Sequence, residues 1–200
     1  MIKGATPAGE KKTVKILAVE DPASELYRGD GPVAQKWSEK TGISVKTDIV
    51  PWADYAPKVF KELDTGSNAY DAVMLPGFFW LPGMASKAQL CPLEDLLNSL
   101  KEEWASYNYY GILPSLREEL FFSGRHYLIP AFSEIQVVLY RKDLIKPAGL
   151  GPLPQPLPLD LYIKTARALH KPPVNYGTHL KGGTAESFPE WLPFLSAHGG

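Results

Sequence analysis

Carboxylates, imidazoles and aromatic rings are the side chains in this sequence with the chemistry to transform or hold a ligand, and their spacing separates those two uses. The adjacent acids Glu102-Glu103 and Glu118-Glu119 would point in different directions on a helix, so they read as solvated faces rather than as an acid–base pair. His126, His170, His179 and His198 are separated by long, irregular gaps, and Cys91 is the single cysteine. That pattern offers no zinc cluster and no internal disulfide. GxGxxG, the Walker loop, the GxSxG elbow and HExxH are all absent, which removes the dinucleotide, phosphate-loop, esterase and zincin chemistries. Neither a cofactor nor a metal is expected.

What remains is a set of acids and rings at the ends of short apolar runs. Glu20-Asp21 follows one run, Pro51-Trp52 with Tyr55 close by follows a second, and Phe78-Phe79-Trp80 follows a third. In an open parallel α/β sheet, ligands bind in the crevice outside the carboxyl ends of the strands. A flat ring face beside a few carboxylates suits a polyhydroxylated solute, whose C–H faces stack on the ring while its hydroxyls donate to the acid. Phe78 and Phe79 read equally well as core rings, and Trp80 reads better as one.

These residues need a scaffold, and the apolar periodicity supplies one. Residues 1–13 are small and polar, a flexible lead. Val14–Val19 is an apolar run stopped at Glu20-Asp21-Pro22, a buried strand. Pro32–Lys40 places Val33 and Trp37 on one helical face, and Thr41-Gly42 ends it. Ile43, Val45, Thr47 and Ile49 alternate as in a strand, which Pro51 closes. Asp54–Leu63 carries Tyr55, Val59 and Leu63 along one side of a second helix, and Asp71–Leu75 is a third strand. Strand, helix, strand, helix, strand implies βαβ units and a mainly parallel sheet.

Further along, helical segments are expected around Met84–Lys87 and Leu93–Leu100. A hairpin turns at Ser123-Gly124, and Ile135–Tyr140 reads as another strand. Five prolines between Pro147 and Pro158 make a stiff connection to a helix over Asp160–Leu169.

Composition agrees with a folded chain: 44% of the 200 residues are hydrophobic and 22% charged, values that exclude disorder and a coiled coil. A net charge of −1 argues against nucleic acid or a membrane surface as a partner held by bulk charge. Ile16–Val19, the longest apolar stretch near the N-terminus, is far short of a signal-peptide core of about 7–15 residues or a span of about 20. An exported protein would have lost its signal from this chain.

The order of several segments resembles a known family. QKWSEKTGISVKTDIVPWADY is similar to its helix, Thr-Gly and strand. YDAVMLPGFFW followed by AQLCPLEDLL is similar to its third strand and a G-L-x-P-L segment. GRHYLIPAFSEIQVVLYRKDL resembles its G-K-x-Y-x-x-P hairpin and crossing strand, and FPEWLPFLSAHGG its helix ending in Gly-Gly. The family is that of the bacterial extracellular solute-binding proteins of ABC importers, in the carbohydrate-binding, maltose-binding-protein-like group. Each motif is weak alone, and their shared order is specific. Two departures stand out: Pro158-Leu159 replaces the usual Thr-Trp helix start, and Tyr140-Arg141-Lys142-Asp143-Leu144 replaces Y-N-K-D-L.

The resemblance implies a class II periplasmic-binding-protein-like α/β fold with two lobes of mainly parallel sheet. Residues 14–133 would form the N-terminal lobe, incomplete without later chain, and 134–200 the crossover and the start of a truncated second lobe. It implies a non-enzymatic monomer outside the cytoplasm, periplasmic or extracellular. Its partners would be a sugar or oligosaccharide and a membrane permease. It places Asp21 in the loop after the first strand, where relatives contact sugar hydroxyls, and Glu134 where sugar-binding relatives keep a ligand glutamate. An ion pair of Glu134 with Arg125 or Arg141 is the competing reading. Ser187 and Trp191 fall on the second-lobe segment facing the cleft, although Trp191 fits packing behind it as well. Together with Trp52, Phe78 and Phe79 these residues are the candidate ligand set. Two other functions fit the same residues: a polyamine or other small-cation binder with a cation–π cage, and a carbohydrate-active enzyme using Asp21 and Glu134 as its carboxylates.

Overall fold

The computed structural model describes residues 13–100, 106–183 and 187–199, without the side chains of Phe78 and Asp95. The expected lead, apart from Thr13, and the Glu102-Glu103 pair lie outside the described residues. The chain divides into two compact units, Met1–Ser133 and Glu134–Gly200.

In the first unit β1 (Thr13–Val19), β2 (Ser44–Val50) and β3 (Ala72–Val73) form a sheet in the order β2-β1-β3. Both pairings are parallel, in registers that set Val19 against Val50 and Leu17 against Val73. The crossovers are helices, as parallel pairing demands. α1 (Pro32–Thr41) has proline in its first turn and ends on Gly42 at φ 72°, a left-handed cap that costs glycine little. α2 (Trp52–Thr65) follows Pro51 directly and ends on Gly66 at φ 59°. It starts two residues earlier than its apolar spacing implies.

The core gathers Leu17, Val19, Tyr55, Val59 and Met84, with Trp80, Met74 and Leu63 packed against them. Tyr55 and Val59 turn inward, as their spacing predicts. Burial on α1 differs from expectation. Val33 and Trp37 are 45% and 37% exposed, and Ala34 is the buried residue at 3%. Four-residue spacing identifies a shared face without saying which face is covered, and here a small side chain makes the contact. α3 (Gly77–Ser86) also begins earlier than expected and contains Pro82. Its first turn therefore takes up Phe78, Phe79 and Trp80.

The Tyr55 hydroxyl joins these elements. It lies 3.1 Å from the Leu17 carbonyl on β1 and 2.5 Å from the Met74 carbonyl just past β3. Burial pushes this phenol well above the ordinary tyrosine range, outweighing the opposing effect of the Met74 carbonyl contact. It stays a neutral donor.

α4 (Glu94–Ser99), the short helix α5 (Pro114–Glu118) and a hairpin complete the described unit. The hairpin pairs β4 (Phe121–Phe122) with β5 (Arg125–His126). Ser123 and Gly124 both have positive φ, 49° and 76°, the backbone of a type I′ turn, so the turn falls where the sequence puts it. Glu94 holds this hairpin. Its Oε1 accepts the His126 N–H at 2.6 Å, and the Leu93 N–H donates to the His126 carbonyl at 2.7 Å. The His126 amide, with smaller help from Arg125, keeps the Glu94 carboxyl below its ordinary pKa.

A carboxyl with a lowered folded-state pKa contributes stability above its unfolded value, and that contribution disappears as pH falls through the folded value. Glu94→Gln is therefore expected to lower the melting temperature most above about pH 5 and to converge with the parent as pH drops below about 4. Melting curves across that range test it. A gap that stays constant with pH would show that the amide replaces the carboxylate fully.

The second unit is helical where it is regular, with α6 (Lys142–Ile145), α7 (Leu159–Leu169) and α8 (Ser187–Ala197). Ile145 and Thr165 are buried, and the Tyr162 and Phe194 rings meet edge to face at 5.9 Å. α7 opens after Pro158 with no side-chain cap, consistent with the loss of the usual threonine there. The strand expected at Ile135–Tyr140 is not formed: these residues carry no regular structure and are exposed. A strand needs a neighbour for its N–H and C=O groups, and none of the described residues supplies one to residues 134–140.

Candidate functional site

The ends of the three strands lie at one edge of the sheet. The Glu20 N–H donates to the Val50 carbonyl at 2.8 Å, and the Met74 N–H donates to the Leu17 carbonyl at 2.9 Å. The chain segments that leave this edge carry Asp21, Trp52 and the Phe78-Phe79 pair. The topology therefore brings these four positions, all in the first unit, to one end of the sheet.

Asp21 is held by its own turn. Its Oδ1 accepts the Ala23 N–H at 2.7 Å and its carbonyl accepts the Ser24 N–H at 2.9 Å. Ser24 is fully buried, and its hydroxyl donates to the Met74 sulfur at 3.4 Å. An aspartate folded back on its backbone in this way fixes the carboxylate's direction. Its second oxygen, Oδ2, makes no hydrogen bond among the described residues, so a ligand hydroxyl has an acceptor available there.

The rings at this edge divide by orientation. Trp52, the first residue of α2, is 47% exposed, and Phe79, in the first turn of α3, is 37% exposed. Trp80 turns the other way. It stacks on Tyr55 at 6.3 Å and leans on Phe60 at 5.1 Å, so it serves the core. Phe78 is described by its backbone alone, in the same helical turn.

Tyr27 carries no local sequence signal of a role at this edge. Its hydroxyl donates to the Ala131 carbonyl at 3.2 Å, and its own carbonyl accepts a hydrogen bond from the Thr47 hydroxyl. The loop carrying Asp21 is thereby tied to β2 and to the segment just after Pro130. No local pattern announces a contact between residues 104 apart.

The candidates in the second unit stand on its first residue and on α8. Glu134 is exposed, and Arg125 and Arg141 pair with other carboxylates. Arg125 lies 3.4 Å from Glu94, and Arg141 donates through Nε to Asp143 at 2.7 Å. Ser187 and Trp191, four apart, share one face of α8. Trp191 is 52% exposed with its ring 6.2 Å from Phe188, so within this unit it is not packed away.

Among the described residues no three His, Cys, Asp or Glu side chains gather as a metal site, and no helix is long and apolar enough to cross a membrane. A cleft of about 410 Å³ in the first unit lies between Glu94, Asn98, Asn108, Tyr110 and Phe121. None of the candidate ligand residues lines it. The sheet edge, with a fixed carboxylate and exposed rings, is the better chemical match to a ligand.

Known proteins bear on this geometry. The family described as bacterial extracellular solute-binding protein matches residues 25–200. Over 152 residues the chain is 30% identical to an erythritol/L-threitol-binding protein of Mycolicibacterium smegmatis, a match covering 71% of this chain and 31% of that protein. It is 28% identical over 148 residues to the diacetylchitobiose binding protein DasA of Streptomyces coelicolor, covering 74% and 32% respectively. The crystal structure of an ABC transporter solute binding protein from Agrobacterium vitis, with bound D-mannitol, is similar with a TM-score of 0.61 at 27% identity. That match covers 78% of this chain and 35% of the other. The chain thus spans about a third of the length of these relatives. The fold is class II periplasmic-binding-protein-like, present in part. Its parallel sheet edge, its motif order and these likenesses agree, and the chain belongs to the bacterial extracellular solute-binding protein family.

Proposed function

We propose that the protein carrying this chain binds a small polyhydroxylated solute, a sugar or sugar alcohol, without transforming it, and delivers it to the permease of an ABC importer. The observation that supports this most is the sheet edge itself, where the oriented Asp21 carboxylate shares one end of the sheet with the exposed rings of Trp52 and Phe79. The names of the relatives point the same way, to erythritol, mannitol and an acetylated disaccharide.

Asp21 and Glu134 accept hydroxyl hydrogen bonds in this reading. Trp52, Phe78, Phe79 and Trp191 offer stacking faces, and Ser187 offers a hydroxyl from the second lobe. Residues 14–133 and 134–200 act as parts of two lobes that close on the solute, outside the cytoplasmic membrane. Closure follows from a higher affinity of the solute for the closed state, and the closed form is what the permease recognises.

A thermal-shift screen of the complete gene product tests this. Erythritol, mannitol and diacetylchitobiose are offered beside spermidine, each at low and high salt. A bound solute at about 100 times its Kd stabilises the native state by about 2.7 kcal/mol, a rise of several degrees. One of the hydroxylated solutes is expected to give that rise independently of salt. A shift with spermidine alone, lost at high salt, would replace the sugar reading with a cation reading. Hydrolysis of a chromogenic glycoside, abolished by Glu134→Gln, would overturn the absence of catalysis.

A further inference from the structure

Residues 20–31 join the end of β1 to the start of α1, and Asp21 lies near the beginning of that connection. The turn over Asp21–Ser24 fixes the carboxylate relative to its own backbone. A turn fixed only on itself still moves as a body unless the rest of the connection is anchored. Here the anchors follow one another along the chain. Ser24 reaches the Met74 sulfur. A short 3₁₀ turn, Ser24–Tyr27, then sets Tyr27 between two partners: its hydroxyl donates to the Ala131 carbonyl at 3.2 Å, and its carbonyl accepts the Thr47 hydroxyl. Two residues on, Gly29 lies so close to β2 that an added Cβ would stand 2.6 Å from the Val45 carbonyl oxygen.

The sheet does not need the Tyr27 contacts. β1 and β2 pair over their whole length, from Thr13 against Ser44 to Val19 against Val50, and the bonds to Tyr27 add no rung to that ladder. The Tyr27–Ala131 bond is exposed and joins neutral groups, a kind of contact that contributes modestly to global stability. What the two bonds hold is the connection whose first turn carries the carboxylate. A loop ordered in advance spares the binding step the entropy of ordering it.

We propose that Tyr27 is a positioning residue for the solute site: through its ties to Ala131 and Thr47 it holds the Asp21 carboxylate in place before the solute arrives. Tyr27 acts through Asp21 and does not itself touch the solute. This rests on the role given to Asp21 in the proposed function.

The test is calorimetric titration of the complete gene product with erythritol, mannitol and diacetylchitobiose, on the parent, Tyr27→Phe and Thr47→Val. The first variant removes one hydroxyl and keeps the ring, and the second removes the other hydroxyl and keeps a β-branched strand residue. Each is expected to weaken the solute that binds the parent by about two- to tenfold. Placed on Asp21→Asn, the same changes are expected to cost less than about twofold further, because they act through the missing charge; an independent structural loss would multiply instead. In the apo protein, amide hydrogen exchange is expected to quicken at Ala23 and Ser24 while β1 keeps its protection. Unchanged affinity in both variants overturns the positioning role and leaves the solute reading standing. So do losses that persist in full on Asp21→Asn, or exchange that quickens throughout β1. A parent that binds none of the three solutes overturns the solute reading and the role of Tyr27 together.

Discussion

Replacing Tyr55 with alanine is expected to unfold a large share of the first unit's population at physiological temperature. The ring is 1% exposed and stacks on Trp80, and the hydroxyl reaches carbonyls on both sides of it, Leu17 on β1 and Met74 past β3. Removing a buried aromatic side chain costs about 3–5 kcal/mol in transfer and cavity energy. Total stabilities are only about 5–15 kcal/mol. Tyr55→Phe separates the two contributions. It keeps the ring and leaves the carbonyls short of a donor, which costs about 1–3 kcal/mol. Urea titration of both variants is the measurement. Equal losses for the two would mean that the hydroxyl alone does the holding, and a loss below about 1 kcal/mol for alanine would remove Tyr55 from its central place.

Asp21→Asn is expected to leave stability nearly unchanged while weakening solute binding by about 2–30-fold. The asparagine retains an Oδ1 for the Ala23 N–H, so the turn survives. What disappears is the negative charge at the second oxygen, and hydrogen bonds to a charged acceptor are worth about 1.5–3 kcal/mol against about 1 for a neutral one. Calorimetric titration of the complete gene product with the solute found by thermal shift reads the affinity, and its apo melting temperature reads the turn. A variant that binds as tightly as the parent would take Asp21 out of the ligand set. One that loses melting temperature along with affinity would show that the charge serves the loop instead.

Much of the scaffold of this edge was legible because its signals are local. Gly42 and Gly66 sit where each helix needs a left-handed residue, Pro32 marks the start of α1, and Tyr55 and Val59 repeat at helical spacing. The rule that ligands gather at the carboxyl ends of parallel strands then singled out Asp21, Trp52 and Phe79. Where the reading departed from the structure, the deciding interaction was not local. Val33 and Trp37 do share a stretch of α1, and only the packing partner determines that Ala34 faces inward. A helix is expected only around Met84–Lys87, yet α3 begins at Gly77, and its first turn sends Trp80 to the core and leaves Phe79 outside. Ile135–Tyr140 has the residues of a strand, and strand formation depends on a neighbour that those residues cannot specify.

Tyr27 adds a matter of timing. Its hydroxyl anchors the Asp21 loop to Ala131, 104 residues later in the chain. At a synthesis rate of about 5–20 residues per second, the ribosome needs about 5–20 s to make that stretch. β1, α1 and β2 can pair well before then, because the residues that pair them lie within the first fifty. The Asp21 loop therefore gains this tether only after the sheet beneath it can exist, so the nascent protein has its scaffold before the proposed recognition surface is complete.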